Sequence, residues 1–524
     1  MILEFDSVKE IESVDVCIIG SGAAGIATAK EFFDTNISVV VLEGGGGKHE
    51  EDSQDPYKCQ IKGLPHRGTH EGRTRVLGGT TTLWAGQALP LFDIDFKKRD
   101  WVQFSGWPFS RDVLLPYYTR AEDVMQIPHV TYDDRSWPHN QRPIQSIDGS
   151  IERCFSQFAR IPNFASKYRK LLAASKNVTV LLHANAIELS ATPQANGVQS
   201  VTVKSFSGKT AILKAKLFVI CCGGIDSARL LLASKAVEKN GIGNQHDVVG
   251  RFFQDHPTMI VPLKPKDPLE FDRRFGAIRK RSNLNLVKFF PNEHFQRENG
   301  ILNVGAEVIH EDVDNTPLAA VQRFMKCVRN LELNGNSLSD LRHALKNPVA
   351  ILGAGVRKTL GLRGRSVKDV RYSLLISSEQ DPSPESRITI SGDKDSLGMP
   401  RSIVNWKISS NVSRTIDLFM REITKQWRSL GIAEVDVDSV PILGRETGEF
   451  GGYSDFNHHI GTTRMGTDPK TSVVDASCRV HNYNNLYVAS SSVFPTGSFS
   501  NPTLTVLALC CRIADELKAS LKRC

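Results

Sequence analysis

The chain has 524 residues, room for several average domains or one large two-part enzyme, and the composition of a globular protein without low-complexity tracts or repeats. Its net charge of +8 is small at this length and no nucleic-acid motif accompanies it, which sets DNA and RNA partners aside. The 10 cysteines are scattered without a C-x-x-C pair, and Cys17, Cys221, Cys222, Cys510 and Cys511 lie in apolar runs. That usage excludes a disulfide framework or a zinc site and suits a reducing compartment. The N-terminus has neither the basic start nor the apolar run of a signal peptide, and no segment is long enough to span a bilayer. The expected location is cytoplasmic.

The first strong element is the buried strand Val14 to Ile19, which runs into Gly20-Ser21-Gly22-Ala23-Ala24-Gly25 and then a helix. In this G-x-G-x-x-G turn Gly20 makes the bend, Gly22 lets a pyrophosphate approach the backbone, and Gly25 lets helix and strand pack closely. Free N–H groups at the helix start favour phosphate. A second strand, Ile37 to Leu42, ends in Glu43, an acid placed to accept hydrogen bonds from ribose hydroxyls and to repel a 2′-phosphate. A dinucleotide site follows, with NADP disfavoured.

Four glycines from Gly44 open a polar excursion over 44–73, expected to carry little regular structure and to act as a lid or oligomer contact. In Arg75-Val76-Leu77-Gly78-Gly79-Thr80-Thr81-Thr82-Leu83-Trp84-Ala85 small residues admit a flat ligand, Trp84 walls it and Arg75 meets an anion. Helix is predicted over 107–128 and strand over 178–182 and 201–203. The strand Leu217 to Cys222 meets Gly223-Gly224 and a helix over 225–233, a second strand–Gly-Gly–helix unit suited to a doubly wound sheet. From 256 the texture changes to strands, at 256–261, 371–377, 387–390 and 403–406, around a basic helical insert over 315–368. That insert reads as a solvated or oligomer-facing region, with contact to an acidic membrane surface as the less favoured alternative. An amphipathic helix covers 413–430, and Glu379-Gln380-Asp381 ends a strand within reach of substrate hydroxyls. Near the C-terminus come His458-His459-Ile460-Gly461-Thr462, a strand at 486–489, and Asn501-Pro502-Thr503 opening an apolar helix, a normal N-cap arrangement.

Taken in order, these motifs resemble the glucose–methanol–choline (GMC) oxidoreductases, FAD-dependent alcohol-oxidising flavoproteins, and among them the pyranose-oxidase branch. The resemblance also rests on Cys222 to Leu231, Val249 to Pro257 and His458-x-x-Gly461-Thr462-x-Arg464-Met465-Gly466. It implies an α/β fold: a Rossmann-like FAD-binding domain (1–255), an α+β substrate domain on an antiparallel sheet (256–450), and a C-terminal return carrying the chemistry (451–524). It implies FAD contacts at Gly20, Ser21, Gly22, Ala23, Ala24, Gly25, Glu43, Gly44, Arg75, Gly78, Gly79, Thr80, Leu83, Trp84, Ala85, Ala186, Gly223, His459, Ser490, Pro502 and Thr503. Two positions depart from the family pattern. Members that hold FAD covalently carry histidine where this chain has Leu83, so non-covalent FAD is expected. Ser490 stands where an acid is common.

The resemblance puts the catalytic pair at His458 and Asn501. A neutral imidazole takes the hydroxyl proton while hydride leaves for flavin N5, and the amide holds the substrate oxygen. The expected activity is oxidation of a secondary hydroxyl of a sugar or glycoside, with oxygen or a quinone-like carrier as acceptor and a homo-oligomer as one possible state. A sterol or other hydrophobic-alcohol oxidase, signalled by an apolar substrate sheet, a flavin-bearing lyase and a protein with a vestigial site are the alternatives; an NAD-dependent dehydrogenase leaves the C-terminal motifs without a role. His66, His70, His256 and His310 show no metal-ligand spacing with carboxylates, so no metal is expected, and His256 reads as a structural residue.

Overall fold

The computed structural model describes residues 1–10, 12–133, 135, 149–276, 278–280, 283–312, 370–437 and 453–523. The basic insert expected over 315–368, with its solvent or oligomer role, lies outside the described residues.

Apolar, β-branched runs buried on both faces make a parallel sheet, and helices cover it. Its strands run in the order Ile2–Glu4, Val178–Leu182, Val39–Leu42, Val14–Ile19 and Thr210–Ile220, with Leu486–Val488 also joined to Thr210–Ile220. The long strand Thr210–Ile220 continues into an antiparallel extension with Val198–Lys204 and Asn185–Ala191. Ile18 and Val219 are register partners at the centre, and both are fully buried. The helix Thr503–Arg523 packs here through Leu504, Leu507, Cys510, Cys511, Ala514 and Leu517. The chain's last element therefore closes the core that its first motif opens.

The second sheet is antiparallel, ordered Ala433–Val435, Thr258–Pro265, Val370–Ser378, Val304–Asp312, Asn283–Pro291, Ile151–Phe158 and Gln87–Ala88. One face packs on the amphipathic helix Ser410–Ser429, where Trp427 meets the rings of Phe275 and Phe289 at 5.5 and 5.2 Å. Two strands of this sheet, at 87–88 and 151–158, come from before residue 255, so a cut at 255 does not separate the two sheets. A third sheet joins Arg387–Lys394 and Pro400–Asn405 to Gln60–Ile61, which anchors the 44–73 excursion. That excursion also holds short 3-10 turns at Asp52–Tyr57 and Arg67–Thr69.

Candidate active site

A cavity of about 680 Å³ opens at the carboxyl ends of the parallel strands and runs to the edge of the second sheet. That is in the middle of the range of ordinary small-molecule sites. Three helices begin at its wall: Ala23–Lys30, Gly223–Ala233 and Thr503–Arg523. The first two have no side-chain cap, so their leading N–H groups and positive dipole ends serve whatever anion or carbonyl enters.

The fingerprint glycines differ in what surrounds them. Gly20 has φ +103° and passes so close to Cys221 that a Cβ would lie 2.7 Å from its carbonyl oxygen. A Cβ on Gly25 would lie 1.8 Å from the Gly20 oxygen, whereas one on Gly22 would meet nothing within 4 Å. Gly25 is thus a packing residue, and Gly22 borders open space. Gly223, with φ +71°, borders the cavity the same way. Glu43, at the end of the second parallel strand, accepts from the Ser21 N–H at 3.1 Å, the Ser21 hydroxyl at 2.6 Å and the Gly45 N–H at 2.8 Å. Burial raises its carboxyl above the usual range, against the hydrogen bonds from Ser21 and Gly45.

Arg75 leans over Gly44 and donates to the Asn185 side chain, while its buried Nε has no partner. Trp84 is fixed by a 2.8 Å bond from its indole N–H to the Pro162 carbonyl, and Leu83 stands 58% exposed beside it on the cavity wall. Of the expected cofactor residues, all line the cavity except Gly25 and Gly78, which lie behind the wall. A glycine cradle, two uncapped helix starts and an unpartnered guanidinium nitrogen suit a dinucleotide such as FAD.

At the other end of the cavity stand His458, His459 and Asn501. The segment carrying the histidines is pinned by Asp255, which is fully buried. Its Oδ1 accepts from the backbone N–H groups of His256, Phe456 and His458 at 2.6, 3.2 and 3.0 Å. Its Oδ2 accepts from His66 Nε2 at 3.0 Å. Burial works against ionisation of Asp255, yet the hydrogen bond and charge of His66 hold its carboxyl well below the usual range. Burial pushes both His458 and His459 down, so each imidazole is neutral near pH 7. His458 Nδ1 lies 2.9 Å from His256 Nδ1.

The helix after Asn501 starts at Thr503, and the buried Asn501 Oδ1 has no partner. The N-cap role open to Asn501 in the sequence is therefore not taken up, and the amide is left for the cavity. His459 Nε2 is likewise buried and unpartnered. Ser490, the departure from the family acid, lines the cavity and accepts from the Ser492 N–H.

Two sequence expectations need correction. Glu379 does not reach substrate: it is fully buried and gripped by Arg99 through bonds of 2.8 and 2.7 Å. Its reach was misjudged because Arg99 is remote in sequence. His66 is not isolated from carboxylates, since it meets Asp255, and with His459 their ligand-type atoms lie within 4.8 Å of one another. The Asp255 carboxylate is already taken up by the four donors above, which makes this cluster a hydrogen-bonded pin. Sequence reasoning also missed Tyr57, Arg73 and Asp226 on the cavity wall. Arg73 pairs with Asp226 and sits 4.0 Å over the Tyr57 ring. An Arg-x-Arg at 73–75 was the available signal; Tyr57 lay in a stretch with no periodicity.

Family models of GMC oxidoreductase, N- and C-terminal, match residues 166–258 and 382–510. The chain belongs to the GMC oxidoreductases. Within this family it is 23% identical to the fructose dehydrogenase large subunit of Gluconobacter japonicus over 590 aligned positions, which cover 98% of the chain and 99% of that protein. It is 30% identical to pyranose 2-oxidase of Tricholoma matsutake over 146 positions, 27% of the chain and 23% of that protein. The fold matches pyridoxine 4-oxidase from Mesorbium loti with a TM-score of 0.56 and 18% identity, covering 96% of the chain and 99% of that structure. As a GMC oxidoreductase the protein is an enzyme of an FAD-dependent family, and the cradle just described fits that cofactor. No helix among the described residues is long and apolar enough to cross a membrane.

Proposed function

We propose that this enzyme oxidises a secondary hydroxyl of a sugar or glycoside to a ketone, with His458 taking the hydroxyl proton and Asn501 holding the substrate oxygen. The observation that carries the reading is the pair itself on the wall of one cavity: a neutral histidine, and an amide whose Oδ1 has no protein partner and whose NH2 is the group to donate to the substrate oxygen. Bound flavin supplies the hydride acceptor. His458 then needs a free ring nitrogen to accept the proton, and Asn501 orients the carbon–oxygen bond.

A sugar is favoured over a sterol by the second sheet. Phe155, Val287, Phe289, Val304, Ala306, Val308, Leu374 and Ile376 face the helix Ser410–Ser429 in one apolar core. Strand alternation sends Ser156, Lys288, Glu307 and Ser377 to the other face. Gln87, on the cavity wall, donates to Ser156 at 2.8 Å and to Glu307 at 2.9 Å, and Lys288 pairs with Glu307 at 3.2 Å. Gln87 brings this polar network to the cavity wall, where it matches a hydroxyl group and penalises an apolar ring left unbonded against it. The names of two relatives, fructose dehydrogenase and pyranose 2-oxidase, point the same way. Leu83 cannot bond covalently to flavin, and FAD is held by contacts alone. The reading divides the chain into an FAD-binding part, a substrate part that also takes the strands at 87–88 and 151–158, and a C-terminal return carrying His458 and Asn501.

The test is product analysis. Purified enzyme is incubated with sugars, glycosides, sterols and simple alcohols, with oxygen or a quinone dye as acceptor. The reading expects a product two hydrogens lighter, a ketone, from a sugar and none from a sterol. Turnover of sterols alone would overturn it.

A further inference from the structure

His256 carries no role in the reaction described so far and reads from sequence as a structural histidine. It is 1% exposed, and its ring stands edge-on to that of His458 with centroids 4.9 Å apart. Its two nitrogens have different neighbours: Nε2 lies 3.2 Å from the Gly497 carbonyl oxygen and Nδ1 lies 2.9 Å from His458 Nδ1.

Hydrogen counting along this chain leaves one arrangement. A carbonyl oxygen only accepts, so His256 Nε2 carries the proton. Burial pushes His256 down, so the ring is neutral and its Nδ1 is a bare lone pair. Two imidazole nitrogens 2.9 Å apart need one proton between them, and with His256 Nδ1 bare it must belong to His458 Nδ1. A neutral His458 with its proton on Nδ1 has its lone pair on Nε2. The charged groups nearest the two rings, Asp255, Lys288 and Glu379, alter how readily the rings gain a proton. They leave the order of donors and acceptors unchanged.

We propose that His256 is a positioning residue that fixes His458 in the Nδ1–H tautomer, presenting Nε2 as the proton-accepting atom toward the substrate hydroxyl. The inference rests on the reading of His458 as the base. In water a neutral imidazole samples both tautomers, and the one with a proton on Nε2 cannot accept there; the partner of the other nitrogen decides which is present. The Gly497 carbonyl is the fixed end of the relay. Gly497 belongs to the same loop as Asn501, so one segment orients both members of the pair.

The experiment compares His256→Leu and His256→Asn with the unmodified holoenzyme, measuring the anaerobic rate of flavin reduction by the best sugar substrate. An asparagine oxygen stands close to where Nδ1 was and still accepts from His458; leucine does not. The expected result is a rate lowered at least about tenfold in His256→Leu with sugar affinity unchanged, and most of the loss recovered in His256→Asn. A wild-type rate in His256→Leu, or an equal loss in both flavin-loaded variants, overturns the proposal. If His256→Leu does not fold, nitrogen NMR of histidine-labelled wild-type holoenzyme decides. His458, assigned by its absence in His458→Ala, must show a protonated Nδ1 and a bare Nε2, and the reverse pattern refutes the relay. An unimpaired His458→Ala would instead remove the base reading itself, a separate failure.

Discussion

Arg99 grips Glu379 through two hydrogen bonds of 2.8 and 2.7 Å, both side chains out of water, across a sequence separation of 280. Glu379 Oε2 also accepts from the Asn303 backbone N–H at 3.1 Å. The pair ties the second sheet to the segment after the short helix Asp93–Phe96. Removing one partner of such a pair strands the other's charge, which costs about 3–5 kcal/mol. Glu379→Gln is accordingly expected to unfold at clearly lower urea concentration than the wild type. An unchanged midpoint would mean that water reaches Arg99.

Asp95 shares this cluster, accepting from Asn303 Nδ2 at 2.7 Å and the Phe92 N–H at 2.7 Å. Burial, then the Glu379 charge, raises its carboxyl to about 6. A carboxyl raised above its unfolded value binds its proton more tightly in the folded chain. Its contribution to stability is complete below the unfolded value near 3.8 and is lost as pH climbs through 6. Asp95→Asn cannot titrate there. Melting temperatures at pH 5 and pH 8 are expected to show the wild type's advantage over Asp95→Asn shrinking at the higher pH. A constant difference would place the titration elsewhere.

Two glycines three residues apart in one motif should respond oppositely to alanine. Gly25→Ala drives a Cβ into the Gly20 carbonyl, which is backbone and cannot move aside, so the chain is expected to be insoluble or unfolded. Gly22→Ala meets no protein atom, has an ordinary φ of −70°, and intrudes only on the cavity. It is expected to fold and to bind FAD about tenfold more weakly, measured by titrating apoprotein. Equal FAD affinity in Gly22→Ala would move the pyrophosphate off this turn.

With Leu83 beside Trp84, acid precipitation should release all the flavin into the supernatant. Yellow colour retained in the pellet would reveal a covalent link through some other residue.

The sequence makes the parallel sheet and its glycine turn legible because their signals are local: buried runs, Gly20, Gly22, Gly25, and an acid at Glu43. The strand positions at 178–182 and 371–377 and the helix at 413–430 follow for the same reason, from periodicity. What escapes is whatever depends on partners far along the chain. Glu379 reads as a substrate contact until Arg99 arrives, and His66 looks unpaired until Asp255 is placed beside it. The second sheet takes strands from 87–88, only two residues long, and 151–158, whose mixed pattern gives no hint of its neighbours. Asn501 shows the limit most clearly: Asn-Pro before an apolar helix is a sound N-cap signal, and only the fold reveals an amide left without a partner.

The most direct test of the account is anaerobic mixing of the holoenzyme with a panel of sugars and glycosides, following the oxidised-flavin absorbance. The account predicts bleaching by at least one sugar and a rate about 10²–10⁴-fold slower in His458→Ala with flavin still bound. Flavin that no sugar bleaches, or that His458→Ala lets bleach at the wild-type rate, would contradict it.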